Sequence, residues 1–376
     1  MIQKRRVYLD WNATALPLAA ALDATEHTSR CCWGNPSSVH AEGRQARAVL
    51  EVAREQVLGC LGGGIRSELT FTSGGTESNN LALRSLCARG GTLVTSRLEH
   101  PSVVRVAEDI ARHGGDVHWI PVLPDGQVDV DAVARVLRSA AAPVVVALQA
   151  VNHETGVIQP VEAVAALCRD AGAALHVDAI QAVGKLSSTL WAGADSVSVA
   201  AHKLGGPKGI GAVASSCALL QPLLLGGAQE GRLRPGTTPV PLAAGFGVAA
   251  DWARASAPLY ASLRKLRDRL ERALVELGGE VNGTAPRVPH VLNVSFGQLP
   301  ADELVAALDV EGVAVSGGSA CSSGTVERSP VIEAMLGPDR ARGAVRASLG
   351  PSTTQEDIEL AIAVWRRVVT RGRADG

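Results

Sequence analysis

Two periods alternate along the chain, short continuous apolar runs and longer stretches in which apolar residues recur three or four apart. Behind the loop Gly34-Asn35-Pro36-Ser37-Ser38, residues Ala46, Val49, Val52, Ala53 and Val57 fall at helical spacing. The glycines Gly62-Gly63-Gly64 close that stretch, which predicts a helix over 41–61. Apolar runs predict strands over 69–72, 92–96, 118–122, 143–151, 174–178, 196–200 and 209–215. Helical periods fill the intervals up to residue 87 and over 102–113, 130–138 and 160–170. Units of roughly 30 residues in this alternation predict a mostly parallel sheet covered by helices. The link between 196–200 and 209–215 is a glycine-rich turn too short for a helical crossover, so those two strands should pair antiparallel. From 242 to 276 the pattern is helical with Pro258 inside it. A domain boundary is expected there, followed by a smaller α+β unit from the strand at 291–296 onward.

Composition narrows the class. The 376 residues are 46% hydrophobic and 19% charged with a formal net charge of -1, so the electrostatic footprint of a nucleic-acid or anionic-membrane binder is missing. No apolar run has the length of a membrane span, and the N-terminal residues lead into a strand without a signal-peptide core. Seven scattered cysteines with no Cys-x-x-Cys pair argue against a disulfide framework or a zinc ribbon and favour a reducing, cytoplasmic setting. Only 5 lysines stand against 31 arginines. A lysine retained in such a chain is weighted towards chemistry, since an amine, unlike a guanidinium, can lose its proton and attack carbon.

Four segments could carry that chemistry. The turn Thr72-Ser73-Gly74-Gly75-Thr76-Glu77 joins a strand to a helix N-terminus, which can seat a phosphate but, taken alone, reads more readily as a plain capped turn. It is neither a Walker A nor a Gly-x-Gly-x-x-Gly sequence. Asp178 ends an apolar strand, where a carboxylate can face the ligand crevice of a parallel sheet or cap the next turn. Gln181 follows three positions on. Lys203, in Ala201-His202-Lys203-Leu204-Gly205-Gly206, sits at the end of a later strand, and a solvated loop cation is its plain alternative. A phosphate turn, a strand-end Asp and a strand-end Lys are together the three parts that pyridoxal 5'-phosphate needs: an anion seat, an anionic partner for its ring nitrogen, and an amine for its aldehyde. In Gly317-Gly318-Ser319-Ala320-Cys321-Ser322-Ser323-Gly324 a cysteine sits among glycines and serines, an accessible and mobile setting unlike that of Cys60, Cys87 and Cys168. Arg346, in a strand-like stretch, could clamp a carboxylate or make an ordinary salt bridge.

With these motifs the chain resembles the cysteine desulfurases, class V aminotransferases among the fold-type I pyridoxal-phosphate enzymes. The likeness runs from Tyr8-Leu9-Asp10-Trp11-Asn12-Ala13-Thr14 to Arg346-Ala347-Ser348-Leu349-Gly350. It takes in Glu99-His100, Glu154-Thr155-Gly156, His176-Val177-Asp178-Ala179-Ile180-Gln181, His202-Lys203, Arg234-Pro235-Gly236-Thr237 and Gly318-Ser319-Ala320-Cys321. The resemblance implies a large cofactor-binding domain over 15–257 with a mostly parallel seven-stranded sheet. It also implies a small α+β domain, 1–14 plus 258–376, that carries the cysteine loop. Lys203 would bond the cofactor aldehyde, Asp178 would pair with the ring nitrogen and Gln181 would reach the ring hydroxyl. Gly75, Thr76 and His202 would hold the phosphate with Thr237 from the second subunit of a homodimer. His100 would stack on the ring and exchange protons, and Asn12 and Arg346 would take the substrate carboxylate. Cys321 would attack the sulfur of L-cysteine, become a persulfide and leave alanine, the sulfur passing to an acceptor protein such as an iron–sulfur scaffold.

Two positions depart from the family. His153 stands where a second, cofactor-contacting Asn is usual, and Ala200 where a phosphate-binding Ser is usual; either change weakens the hold on the cofactor, and a hydrogen bond to a charged group is worth ~1.5–3 kcal/mol. Rival readings are a selenocysteine lyase or another amino-acid lyase that spares Cys321, and a non-catalytic paralogue serving as a binding subunit. A nicotinamide oxidoreductase lacks its glycine fingerprint.

Overall fold

The computed structural model describes residues 5–62, 68–88, 90–318 and 328–374. Numbered along the chain, the strands are β1 (Val7–Tyr8), β2 (Glu68–Thr72), β3 (Thr92–Ser96), β4 (Asp116–Ile120), β5 (Val144–Gln149) and β6 (Ala174–Asp178). They continue as β7 (Ser196–Ala200), β8 (Gly211–Ser215), β9 (Glu280–Val281), β10 (Val291–Ser295), β11 (Val313–Ala314) and β12 (Ala344–Ser348). Seven of them form one sheet in the order β2-β8-β7-β6-β5-β3-β4. Strand β8 is antiparallel to both β7 and β2, and the other six run one way.

Both faces of this sheet are covered, which is why its central strands are written almost wholly in apolar residues. Side chains alternate across β5: Val145 and Ala147 pack under the helices Gly75–Cys87 and Pro101–Arg112, while Val144, Val146 and Leu148 join the larger apolar cluster on the opposite face. The helix Pro101–Arg112 shows how sequence sets such a face. Val103, Val106 and Ala107 are buried, whereas Arg105 and Arg112 are not. Pro101 opens it at a position whose N–H has no intrahelical partner, and the His100 side chain caps it. A second cluster joins Val7 and Leu9 to Tyr260, Leu270, Phe296, Leu308 and Trp365 around the small sheets β12-β10-β9 and β1-β11.

Two expectations need correction, and one helix was not foreseen. The strand expected over 118–122 lies two residues earlier, because its ladder with β3 runs from Thr92–Asp116 to Ser96–Ile120 and Pro121 has no N–H to extend it. The helical stretch 242–276 divides into Val240–Arg254, Ala257–Ser262 and Arg264–Glu276, with Pro258 in the first turn of the middle piece, where proline is tolerated. A helix Ala19–Cys31, absent from the sequence reading, packs on Val240–Arg254; only Ala21 and Thr28 of it are buried, so its apolar stripe is too narrow to register as a period.

Candidate active site

Residues at or just beyond the carboxyl ends of β2, β3, β5, β6 and β7 line one cavity of about 310 Å³, the size class of small-molecule sites. Gly75 and Thr76 follow β2, His100 follows β3, His153 follows β5, Asp178 ends β6 with Gln181 after it, and His202 and Lys203 follow β7. The parallel direction of these strands is what brings together residues spread over more than a hundred positions. Asn12, from the segment after β1, and Arg346, from β12, close the other side.

Hydrogen bonds fix most of these groups. Lys203 Nζ donates to the carbonyls of Asn12 (2.5 Å) and Ala13 (2.9 Å). Asp178 accepts from Asn79 Nδ2 at 2.8 Å and from the Ile180 N–H at 3.0 Å. Asn79 is itself held by Ser102 and by His176, whose other ring nitrogen meets Ser196. Gln181 Nε2 donates to the Asn12 carbonyl at 3.0 Å. Arg346 places one guanidinium nitrogen on Asp10 (2.6 Å) and another on the His153 carbonyl (3.0 Å). Other polar atoms at the cavity are buried with no hydrogen-bond partner among the described residues: Asn12 Oδ1, Arg346 Nε and both ring nitrogens of His153. Such atoms cost stability unless something polar meets them.

Burial dominates the titration of the site. It holds His100 below its ordinary value, Asp178 opposing the shift and Lys203 adding to it. His153 is pushed well below by burial and then by His100, Arg346 and Lys203. His202 falls to about 4 through burial, Lys203, Lys208 and Lys185. Glu99 is raised well above the carboxylate range by burial and by Asp178, against one backbone hydrogen bond from Gln149. Burial likewise raises Glu154, against Ser329 and Arg346. Near neutrality the lowered imidazoles are thus uncharged, and burial favours the neutral form of both carboxyls. The cavity sets Lys203 and Arg346, the latter already paired with Asp10, against Asp178, which suits a ligand with anionic groups and one cationic edge.

Of the residues singled out from sequence, Asn12, Gly75, Thr76, His100, His153, Asp178, Gln181, His202, Lys203 and Arg346 all line this cavity, and Ala200 does too. Thr237 is exposed and lies outside its lining. Cys321 lies outside the described residues. Burial pushes the thiols of Cys60, Cys87 and Cys168 up to about 12, about 11 and about 12, which makes them poor nucleophiles. Sequence reasoning passed over Lys185, buried behind Gln181, although the scarcity of lysine was a signal that could have found it.

Comparison with known proteins gives one answer. The family model for aminotransferase class-V matches residues 7–360. A cysteine desulfurase of Cereibacter sphaeroides is 39% identical, over 98% of this chain and 97% of its own length. A NifS-like protein from Rickettsia africae superposes with a TM-score of 0.87 at 27% identity, covering 97% of this chain and 99% of the other. A structure described as SspA in complex with cysteine gives 0.79 at 28% identity, over 93% of this chain and 100% of the other.

Proposed function

We propose, from the premise that this chain belongs to the class V aminotransferase family as a cysteine desulfurase, that the cavity beside Lys203 is its active site and holds pyridoxal 5'-phosphate. The residues present fit that group. The unpartnered nitrogens of His153 and Arg346 suit a ligand bearing phosphate and ring oxygens. The observation that carries the reading is the convergence of Asp178 and Lys203, from the ends of neighbouring parallel strands, on one enclosed space.

When bound, the cofactor supplies an electrophilic aldehyde and an electron-accepting ring that loosen the bonds at Cα and Cβ of an amino acid. Asp178, oriented by Asn79, would keep the ring nitrogen protonated, and Gln181 and His153 would meet the ring oxygen. Gly75, Thr76 and His202 would seat the phosphate, joined by Thr237 of a second copy of the chain in a homodimer. Ala200 offers this seat no hydroxyl. Asn12 and Arg346 would hold the carboxylate of L-cysteine, and Asp10 keeps the guanidinium in place.

Lys203, whose amine donates to two carbonyls, would take and return the Cα proton. His100 accepts the Ser102 N–H on Nδ1 at 3.1 Å, so in its neutral form the ring proton resides on Nε2, the group it can offer to the cavity. Cys321 would attack the substrate sulfur: a sulfur–sulfur bond forms, the Cβ–S bond breaks, and the products are alanine and an enzyme persulfide for a sulfur-acceptor protein. We divide the chain into a cofactor-binding unit over 15–257 and a small unit made of 1–14 and 258–376. A reducing cytoplasmic setting suits the cysteines, which among the described residues form no disulfide.

Mass spectrometry of the cofactor-loaded protein after exposure to L-cysteine should find one added sulfur on the peptide bearing residue 321, with alanine released. Lys203→Ala should be colourless, and Cys321→Ser should bind cofactor and form almost no persulfide. Full turnover by Cys321→Ser would sink the role given to that thiol and favour a lyase that spares it.

A further inference from the structure

Lys185 has no part in the site as drawn so far, yet it is the most heavily buried charge-bearing amine near it. It lies in the turns after β6, 5% exposed, and its Nζ donates to Gln181 Oε1 at 3.0 Å. The Tyr260 ring centre is 5.9 Å from Nζ, and His290 packs edge-on against that ring at 4.9 Å. Lys203 and Arg346 act on it from the cavity side and it acts in turn on His290, so its charged neighbours are cations. Among the described residues no carboxylate pairs with it.

An apolar side chain of similar shape would spare this position the cost of burying an amine. What the amine provides is direction. An ammonium group donates and cannot accept, so the Gln181 carboxamide must turn its oxygen towards Lys185 and its NH2 the other way. One of those N–H groups reaches the Asn12 carbonyl at 3.0 Å, the same oxygen that takes the Lys203 amine at 2.5 Å. The second remains for the cavity that Gln181 lines. Without Lys185 only the Asn12 carbonyl, which it shares with the Lys203 amine, would hold the carboxamide in this sense.

Resting on the cavity being the cofactor site, we propose that Lys185 is a positioning residue, which locks the Gln181 carboxamide so that a donor and not an acceptor faces an oxygen of the bound cofactor. Burial first, then Lys203 and Arg346, bring the Lys185 amine down to about 7 in the cofactor-free protein. Below that pH the group only donates and the orientation holds. Above it the neutral amine can also accept, and the orientation loosens. An anion entering the cavity draws a proton back onto Lys185, so part of the affinity is lost as pH rises past neutrality.

The test titrates cofactor-free protein with pyridoxal 5'-phosphate between pH 6.5 and 8.5, comparing wild type, Lys185→Met, Gln181→Leu and the double variant. Lys185→Met should bind about tenfold more weakly near neutral pH. It should also lack the fall in affinity that wild type shows above pH 7. In the double variant the lysine change should add almost nothing to Gln181→Leu, as expected if it acts through that side chain. Circular dichroism checks folding, and should Lys185→Met fail to fold, Lys185→Gln, whose amide can accept as well as donate, carries the same expectations. Wild-type affinity and pH dependence in the lysine variant would overturn the proposal, as would fully additive losses in the double variant. Borohydride reduction separates the two claims. Trapping on Lys203 in wild type together with an unaffected lysine variant defeats only Lys185, whereas failure to trap on Lys203 defeats the cavity assignment on which it rests.

Discussion

His153 is the residue at which stability and function pull apart. Both its ring nitrogens are buried without a partner among the described residues, and Nε2 stops 3.7 Å from Glu154 Oε1. A buried polar group left unsatisfied costs about 1–3 kcal/mol, whereas an apolar side chain in its place leaves nothing unpaired. His153→Leu is therefore expected to melt, without cofactor, at the wild-type temperature or a few degrees higher, while its affinity for pyridoxal 5'-phosphate falls about tenfold. Thermal melts and cofactor titration of one preparation check this; a clear drop in the melting temperature of the cofactor-free variant would mark the histidine as structural. The same contrast explains what could be read from the sequence here. Asp178, Lys203 and the turn at Gly75 each carry a local signature, a strand followed by a polar or glycine-rich turn. Lys185 has no such signature: it matters because folding puts Tyr260, from another element, on one side of it and Gln181 on the other. Nor does sequence reveal that Glu99 is raised well above the carboxylate range, since that follows from complete burial and from Asp178.

Among the elements, the antiparallel strand β8 supports the site most directly without contributing to its walls. Gly211 pairs across to Thr72 on one side and Ala200 on the other, the last residues of the strands that lead to the turn at Gly75 and to Lys203. A Cβ there would sit 2.7 Å from the Gly74 backbone and 2.9 Å from the Val199 carbonyl oxygen, neither of which can rotate away. Gly211→Ala is thus expected to cost about 1–3 kcal/mol and to weaken cofactor binding by shifting both turns. Gly75→Ala meets only the flexible tip of Ile180 and should melt close to wild type. Denaturant unfolding of the two variants decides; an unchanged midpoint for Gly211→Ala would show that the turns can move apart. The pairing of β8 was legible because a short glycine-rich link admits no crossover. The helix Ala19–Cys31 was not, because a helix that lays so few residues on its neighbour writes little of its face into the sequence.

Over the whole molecule, the burial of so many imidazoles has a consequence for pH. Five of the nine histidines are depressed: His100, His153, His176 to about 3, His202 to about 4, and His290, burial being the first cause in each. In the unfolded chain these imidazoles take up protons near pH 6.5, and in the folded protein they do so only at lower pH. Between those limits the unfolded state binds more protons, so stability falls as pH drops below about 6.5. Glu99 and Glu154, raised by burial, act the opposite way above about pH 4.5, but they are two against five. Lys185 works in the same sense as the histidines at higher pH, adding stability as pH rises from about 7 towards its unfolded value. The cofactor-free protein should accordingly melt more than about 5 °C lower at pH 5 than at pH 7.5. Saturating cofactor should narrow that gap, because a ligand bound only by the folded state adds stability, and one whose phosphate lay beside His202 would favour its protonated form and add more at the lower pH. Melts at the two pH values, with and without cofactor, test the argument. A cofactor-free protein equally stable at both would mean that the buried imidazoles gain protons without unfolding, and that the interior is wetter than its packing indicates.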